Sequence, residues 1–329
     1  MQAEPGAQGA QPTLTLDDKD LPALFEDSDT KAVAAQNVYF TWLELELILL
    51  GLGVLVGAFN GAATSIGPVS LMVPPFAVAG VHITKLSAFE IAEALLLLAA
   101  LLARVVRIAA RPEKMWYEAR AVAESVKSIA WRYAVGGEPF DLAHSPETLA
   151  TIVADRFRNI RTDLSKYRAP EAVVQQEQVT PRMAEIRKLP LERRKAIYRD
   201  GRVMDQQKWY TKKAAFNKSR AWQSHAILIV VEVLAVIAAL LPIALTAFHI
   251  FPLNLQSLMA NIAGGGAAWM TAKRYEDLNA SYSVTANELR KVAADSEKPQ
   301  DEAAWGRFVE NAEGAMSREH QLWRATRVD

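Results

Sequence analysis

Between Trp116 and Trp131, five side chains recur at steps of three or four: Trp116, Arg120, Glu124, Lys127 and Trp131. On a helix that spacing brings them to one face, with charges of alternating sign between two tryptophans. Tyr198, Arg202, Asp205, Trp209 and Lys213 repeat the pattern further along the chain. Two such faces can ladder ion pairs, lay guanidinium groups on indoles, and fix a bundle or a subunit interface. The other chemistry open to Arg120, Lys127, Arg132 and Arg202 is to hold a phosphate-bearing signal, although no glycine-rich phosphate loop accompanies them.

A second group consists of polar residues inside apolar runs. Glu232 is the one charge in HAILIVVEVLAVIAALLPIALTAF and sits roughly 9 Å past the start of that run at 1.5 Å per helical residue. A carboxylate at such depth in a bilayer is costly and faces a water path or a partner. Glu90 and Glu93 lie in LSAFEIAEALLLLAALLARVVRI, either lining a path or near an interface. Asn254, Gln256 and Asn261 share a later apolar segment and face water or hydrogen-bond between helices. Glu232, Asn254, Asn261, Glu90 and Glu93 are therefore the pore-lining candidates. Gly264, Gly265 and Gly266 suit either close helix packing or a gating bend.

Catalytic constellations are nearly absent. The chain has no cysteine, which excludes disulfides, thiol catalysis and cysteine-based zinc sites. The five histidines, His82, His144, His225, His249 and His320, show no metal-ligand spacing, and SREHQLW lacks the second histidine of a metalloprotease helix. There is no serine elbow and no paired-carboxylate signature. The expectation is a protein that is not an enzyme and needs no cofactor or metal.

The elements that must carry these residues follow from how the apolar residues cluster. They make up 51% of the chain while charged residues make up 22%, and they gather in two blocks, which points to a membrane. A net charge of zero conceals a partition: residues 1–46 carry −7, 104–224 carry +11 and 273–329 carry −2. No formal charge occurs from Leu47 to Thr84 with His82 neutral. A spanning helix needs about 20 apolar residues, so this block is too long for one helix. Gly67, Pro68, Pro74 and Pro75 punctuate it, making residues 67–84 a turn, a re-entrant piece or part of a span.

Two hairpins of spans result, and they return the chain to its starting side. The basic middle segment places that side, with both termini, in the cytoplasm of a cell whose inner membrane holds the protein. The basic excess suits the inner membrane surface better than nucleic acid, so no nucleic-acid partner is expected. The expected fold is all-α, a helical integral membrane protein with two transmembrane hairpins and a cytoplasmic helical bundle. Its parts are a disordered acidic tail at 1–40, a first hairpin and cytoplasmic helix at 41–137, and a helical linker at 138–196. A cytoplasmic helix, second hairpin and following helix occupy 197–298, and a C-terminal helix occupies 299–329. Pro112 to Val135 reads as one helix stopped by Gly136–Gly137, and Ser145 caps the next.

Three stretches carry a family resemblance. W-Y-x-x-R-x-x-A-E-S-x-K-S-x-x-W-R-Y at 116–133, Y-R-D-x-R-x-x-D-Q-x-x-W-Y-x-x-K-A at 198–214 and F-V-x-x-x-E-x-x-x-S-R-E-H-Q-L-W at 308–323 resemble the SLATT family. These are bacterial two-transmembrane effector domains associated with nucleotide-signalling conflict systems. The last stretch adds Glu319, His320 and Trp323 to the bundle or signal face. A simple member has one hairpin, so two hairpins suggest two modules in one chain. The resemblance implies a cytoplasmic bundle on membrane spans that opens a pore or damages the bilayer when triggered, in antiviral defence. It also implies a lipid bilayer, a sensor protein or a nucleotide signal as partners. Four spans leave little room for a water path in one copy, so a homo-oligomer is expected. The alternative is a non-conducting membrane scaffold or adaptor.

Overall fold

The computed structural model describes residues 14–63, 70–78, 81–162, 167–244 and 255–325. Side chains are described except at 60–63, 70–78, 81–87, 161–162, 172, 174, 241–244, 255–257 and 317–325. Eleven helices, labelled in chain order, carry almost all of it: α1 (Ala23–Ala63), α2 (Ala88–Ala110), α3 (Pro112–Val135), α4 (Pro146–Thr162), α5 (Glu171–Val174), α6 (Pro181–Arg187), α7 (Leu191–Tyr198), α8 (Asp205–Ala244), α9 (Leu255–Lys273), α10 (Tyr275–Asp295) and α11 (Glu302–Ala325). A 3-10 turn at Asp18–Asp20 precedes α1, and a π-helical segment at Arg199–Met204 joins α7 to α8.

The all-α expectation holds for the architecture, with one short ribbon besides. Overlapping the punctuated stretch 67–84, the backbone forms an antiparallel ribbon, β1 (Ser70–Val78) with β2 (Val81–Ser87), paired from Ser70↔Ser87 to Val78↔Val81. The ladder is irregular between Met72 and Phe76, where Pro74 and Pro75 have no amide to donate.

Contacts divide the chain into two compact units. The first comprises Met1–Ala35, Lys114–Lys213 and Ser281–Asp329; the second comprises Gln36–Glu113 and Ala214–Ala280. The first unit is a helical bundle around α3. Pro112 opens α3 at a position where its missing amide costs nothing, and Glu113 favours the positive helix end. Ala119, Val122, Ala123, Val126, Ala130 and Ala134 form a small-residue inner face that lets neighbours approach closely. Gly136, at φ 76, stops the helix. Its open carbonyls are capped by cations: Arg194 Nη1 donates to Val135 O at 2.6 Å, Arg187 Nη1 to Tyr133 O at 2.9 Å, and Trp305 Nε1 also reaches Val135 O at 2.8 Å. At α4, Thr148 N donates to Ser145 Oγ at 3.3 Å, the cap the sequence predicts.

The acidic tail expected at 1–40 is corrected over 14–40, while residues 1–13 lie outside the described residues. Residues 14–40 are ordered, and Leu16, Leu21, Leu24, Phe25 and Ala32 lie in the bundle core. Their stripe, continued by Ser28 and Ala35, has helical spacing, but Glu26, Asp27 and Asp29 interleave it and dominate the local composition. Ser28, fully buried, satisfies its hydroxyl on Leu24 O at 2.6 Å.

In the second unit α1 and α2 form one hairpin, α8 and α9 the other. Glycines on α1 make room for α2: a Cβ at Gly53 would stand 3.1 Å from Leu97 Cδ2, and one at Gly57 would stand 2.7 Å from Glu93 Oε1. Glu46, 2% exposed, holds Arg104 Nε and Arg107 Nη2 at 2.7 Å each. Phe40 meets Trp269 edge-on at 5.8 Å, and the Lys273 ammonium lies 3.3 Å from the Phe40 ring centre. Among the described residues two helical stretches are long and apolar enough to cross a membrane, within Ala23–Phe59 and within Leu191–Leu240. The expected return spans fall short by composition, α2 through Glu90, Glu93, Arg104 and Arg107, and α9 through its glycines, Gln256 and Asn261.

The ordering of the acidic segment gives a direct prediction. Phe25→Ala should lower the unfolding free energy of the full-length protein by about 3–5 kcal/mol. Glu26→Ala, one residue on and exposed, should change it by less than about 0.5 kcal/mol. Denaturant titration followed by tryptophan fluorescence measures both, and equal small effects would mean the segment does not belong to the core.

Candidate functional site

The residues that could do chemistry converge at the π-helical segment in the first unit. Arg202 is 3% exposed and forks onto Glu313 of α11, Nε to Oε1 at 3.0 Å and Nη2 to Oε2 at 2.9 Å. Glu313, 1% exposed, also accepts the Tyr198 hydroxyl at 3.0 Å. The Tyr198 ring stands edge-on to Trp131 at 6.0 Å and to Trp305 at 5.7 Å, so aromatic walls close the pair off from water. Gly201 supplies the clearance, since a Cβ there would lie 3.1 Å from the Trp131 ring and 2.7 Å from Thr15 Oγ1. An α-helix that takes in one extra residue as a π turn re-aims the side chains around it, and such turns concentrate at functional positions.

Burial works against the Arg202 charge, but the Glu313 carboxylate more than offsets it and the guanidinium is held more firmly protonated than usual. Burial pushes the Tyr198 phenol well above the ordinary tyrosine range, and Glu313 adds to the effect. The arrangement is a charge-assisted clamp with no free nucleophile and no open metal position.

The face at Trp116 to Trp131 meets the N-terminal segment. Arg120 binds Asp29 at 2.7 Å and Glu124 at 2.6 Å, and Lys127 binds Asp18 at 2.6 Å with its ammonium 5.4 Å from the Phe25 ring centre. Carboxylates of the acidic N-terminal segment, with Glu124 of α3 itself, thus neutralise the basic face. Arg132 pairs with Glu310 at 3.0 Å. All four cations considered for phosphate, Arg120, Lys127, Arg132 and Arg202, hold carboxylates of this chain.

The remaining expected residues lie as follows. Trp116 stacks on Tyr117 at 4.9 Å, and Trp131 is fully buried. Trp209 meets Tyr210 and Tyr282, with Lys213 5.6 Å above its ring. Asp205 is exposed where α8 begins. Glu319, His320 and Trp323 lie on the α11 backbone, but their side chains are outside the described residues. In the second unit Glu232 and Asn261 are exposed on α8 and α9, Glu90 is exposed in the first turn of α2, and Glu93 is half-buried against Gly57. Asn254 is outside the described residues. Gly266 packs under Leu228, while Gly264 and Gly265 face open space. Trp305 and Gly201 were not singled out from sequence. A stripe of Trp305, Val309, Ala312 and Met316 along α11, with Glu313 inside it, is the signal that marks the clamp.

Beside the bundle, the described residues include two helical stretches long and apolar enough to cross a membrane. The family model described as SMODS and SLOG-associating 2TM effector domain 3 matches residues 22–195, and that of effector domain 1 matches residues 198–323. The chain belongs to the SLATT family of two-transmembrane effector domains and carries two such modules in tandem. Comparison with the curated proteins and with the solved structures gave no match.

The backbone repeats with the modules. In each, the second apolar helix ends at an arginine in the left-handed region, Arg111 at φ 48 and Arg274 at φ 51. The next helix then buries Val122, Ala123 and Val126 in one case and Thr285, Ala286 and Leu289 in the other, at matching steps from that arginine.

Two outcomes test the clamp. Glu313→Ala should cost about 3–5 kcal/mol of stability because Arg202 is left charged and unpaired in the core. Arg202→Met combined with Glu313→Leu should recover most of it. The second outcome concerns alkaline pH. Burial raises the phenols of both Tyr198 and Tyr167 above their unfolded value. Their stabilising contribution is therefore complete below about pH 10 and is lost as pH rises toward the folded-state values. Denaturation midpoints should fall above about pH 10, with a shallower fall in Tyr198→Phe; an identical slope would remove Tyr198 from the account.

Proposed function

We propose that this SLATT effector permeabilises the bacterial inner membrane as a homo-oligomer, with both termini cytoplasmic, and that its helical bundle gates it. The supporting observation is the uninterrupted helical run from Leu191 through the π turn to Ala244, to which both Arg202 of the clamp and Glu232 of the apolar segment belong. A helix transmits rotation along its length. Changing the π turn alters the helical phase of the residues that follow it in this run, the proposed gating step. The trigger is a sensor protein or a nucleotide signal of a conflict system, and no catalytic step is required of the chain.

Glu232 ringed by copies of itself would attract cations and repel anions. Glu232→Gln keeps the shape and removes the charge. In planar bilayers it should lower the cation-to-anion permeability ratio of the reconstituted protein while oligomer yield stays normal. An unchanged ratio would take Glu232 off the path. Absence of any ion flux from liposomes holding cross-linkable oligomers would favour a non-conducting scaffold. A C-terminal reporter found in the periplasm would overturn the topology.

A further inference from the structure

The second unit contains a cleft of about 490 Å³ where α8, α9 and the start of α10 meet. We propose that it binds a zwitterionic phospholipid headgroup, one bearing both a phosphate and an ammonium, as phosphatidylethanolamine does. The inference rests on the membrane reading of the chain and is independent of pore formation.

Position supports it first. His225 lines the cleft at the last polar turn of α8, before the apolar run that begins at Ala226, and Met270 and Thr271 line it where the apolar part of α9 ends. Both helices of the hairpin therefore pass from apolar to polar at this cleft, which is the level of lipid headgroups. Trp222 and Ile227, on either side of His225, are 73% and 63% exposed, as expected of a helix entering a bilayer with an interfacial tryptophan.

Chemistry supports it second. The cleft sets an imidazole and a guanidinium against two carboxylates, His225 Nε2 with Glu276 Oε1 at 2.9 Å and Arg274 Nε with Asp277 Oδ2 at 2.8 Å. A guanidinium and an imidazole N–H donate to a phosphate, and carboxylates take an ammonium, so this set matches a zwitterion rather than a plain anion. The pairs are exposed enough to open cheaply, with the His225 side chain 50% and the Glu276 side chain 73% accessible. The volume lies within the range of small-ligand sites.

The repeat supplies the contrast. Arg111 adopts the same left-handed turn as Arg274, so the turn itself belongs to both modules. The residues that follow differ: Pro112, Glu113 and Lys114 in the first module, Tyr275, Glu276 and Asp277 in the second. Adjacent acids after the arginine occur in the second module alone.

The full-length protein would be reconstituted in phosphatidylglycerol vesicles with and without phosphatidylethanolamine, checked by flotation, and its thermal unfolding midpoint measured. Phosphatidylethanolamine should raise the wild-type midpoint by about 2–4 °C. Arg274→Asn, which tolerates the left-handed turn, and Glu276→Gln should each lose most of that gain without changing the midpoint in phosphatidylglycerol alone. Glycerophosphoethanolamine added to phosphatidylglycerol vesicles separates the sources: a shift with it as well assigns the free headgroup, and a shift with lipid only assigns the bilayer. A wild type that floats but gains nothing, or equal gains in wild type and both variants, would overturn the proposal. Failure to float would instead remove the membrane reading on which it rests.

Discussion

A guanidinium removed from water must meet a carboxylate of matching geometry, and the bundle is organised around that requirement at Arg202. Glu313 answers both nitrogens of the fork and the Tyr198 hydroxyl, so one carboxylate ties the helical run α7–α8 to α11. Trp131 and Trp305 seal the group, and Gly201 lets Trp131 come close enough to do so. A buried pair of this kind adds little net stability over apolar residues of the same shape. It penalises any register in which the partners separate. The π turn at Arg199–Met204 is the local adjustment that puts Gly201 and Arg202 where those contacts need them.

The same rule explains the acidic N-terminus. Arg120 and Lys127 project from α3 toward a core face, and Asp29 and Asp18 neutralise them from the segment that also inserts Leu21, Leu24 and Phe25. Apolar burial supplies most of the affinity here. The ion pairs are partly exposed and chiefly fix the register in which the apolar residues dock. An overall charge of zero thus reflects complementary segments brought together by folding.

The tandem modules and the compact units divide the chain differently. One module ends at 195 and the next begins at 198, yet the bundle draws on both, and so does the unit holding the hairpins. Polar amphipathic helices bury their faces against one another and long apolar helices do the same, irrespective of which module encodes them. The repeated left-handed arginines mark where each module passes from one kind of helix to the other.

Much of the fold was legible in the sequence because periodicity and breakers act locally. The α3 boundaries follow from Pro112 and Gly136–Gly137, the long apolar blocks announce α1 and α8, and the aromatic and charged spacing at 116–133, 198–214 and 308–323 carried the family. Local signals failed where two patterns overlapped. At 14–40 the acids masked a helical apolar stripe, and at 70–87 the prolines announced a break without specifying that the backbone would pair as strands. The sequence by itself also determined which side chains share a helix face, since that depends on spacing alone. Which faces meet was decided only in the tertiary structure. Arg120 finds Asp29, and Arg202 finds Glu313, across 91 and 111 residues of chain. Several carboxylates satisfy the spacing rules equally well, and only the packing of the helices selects the one that each cation reaches.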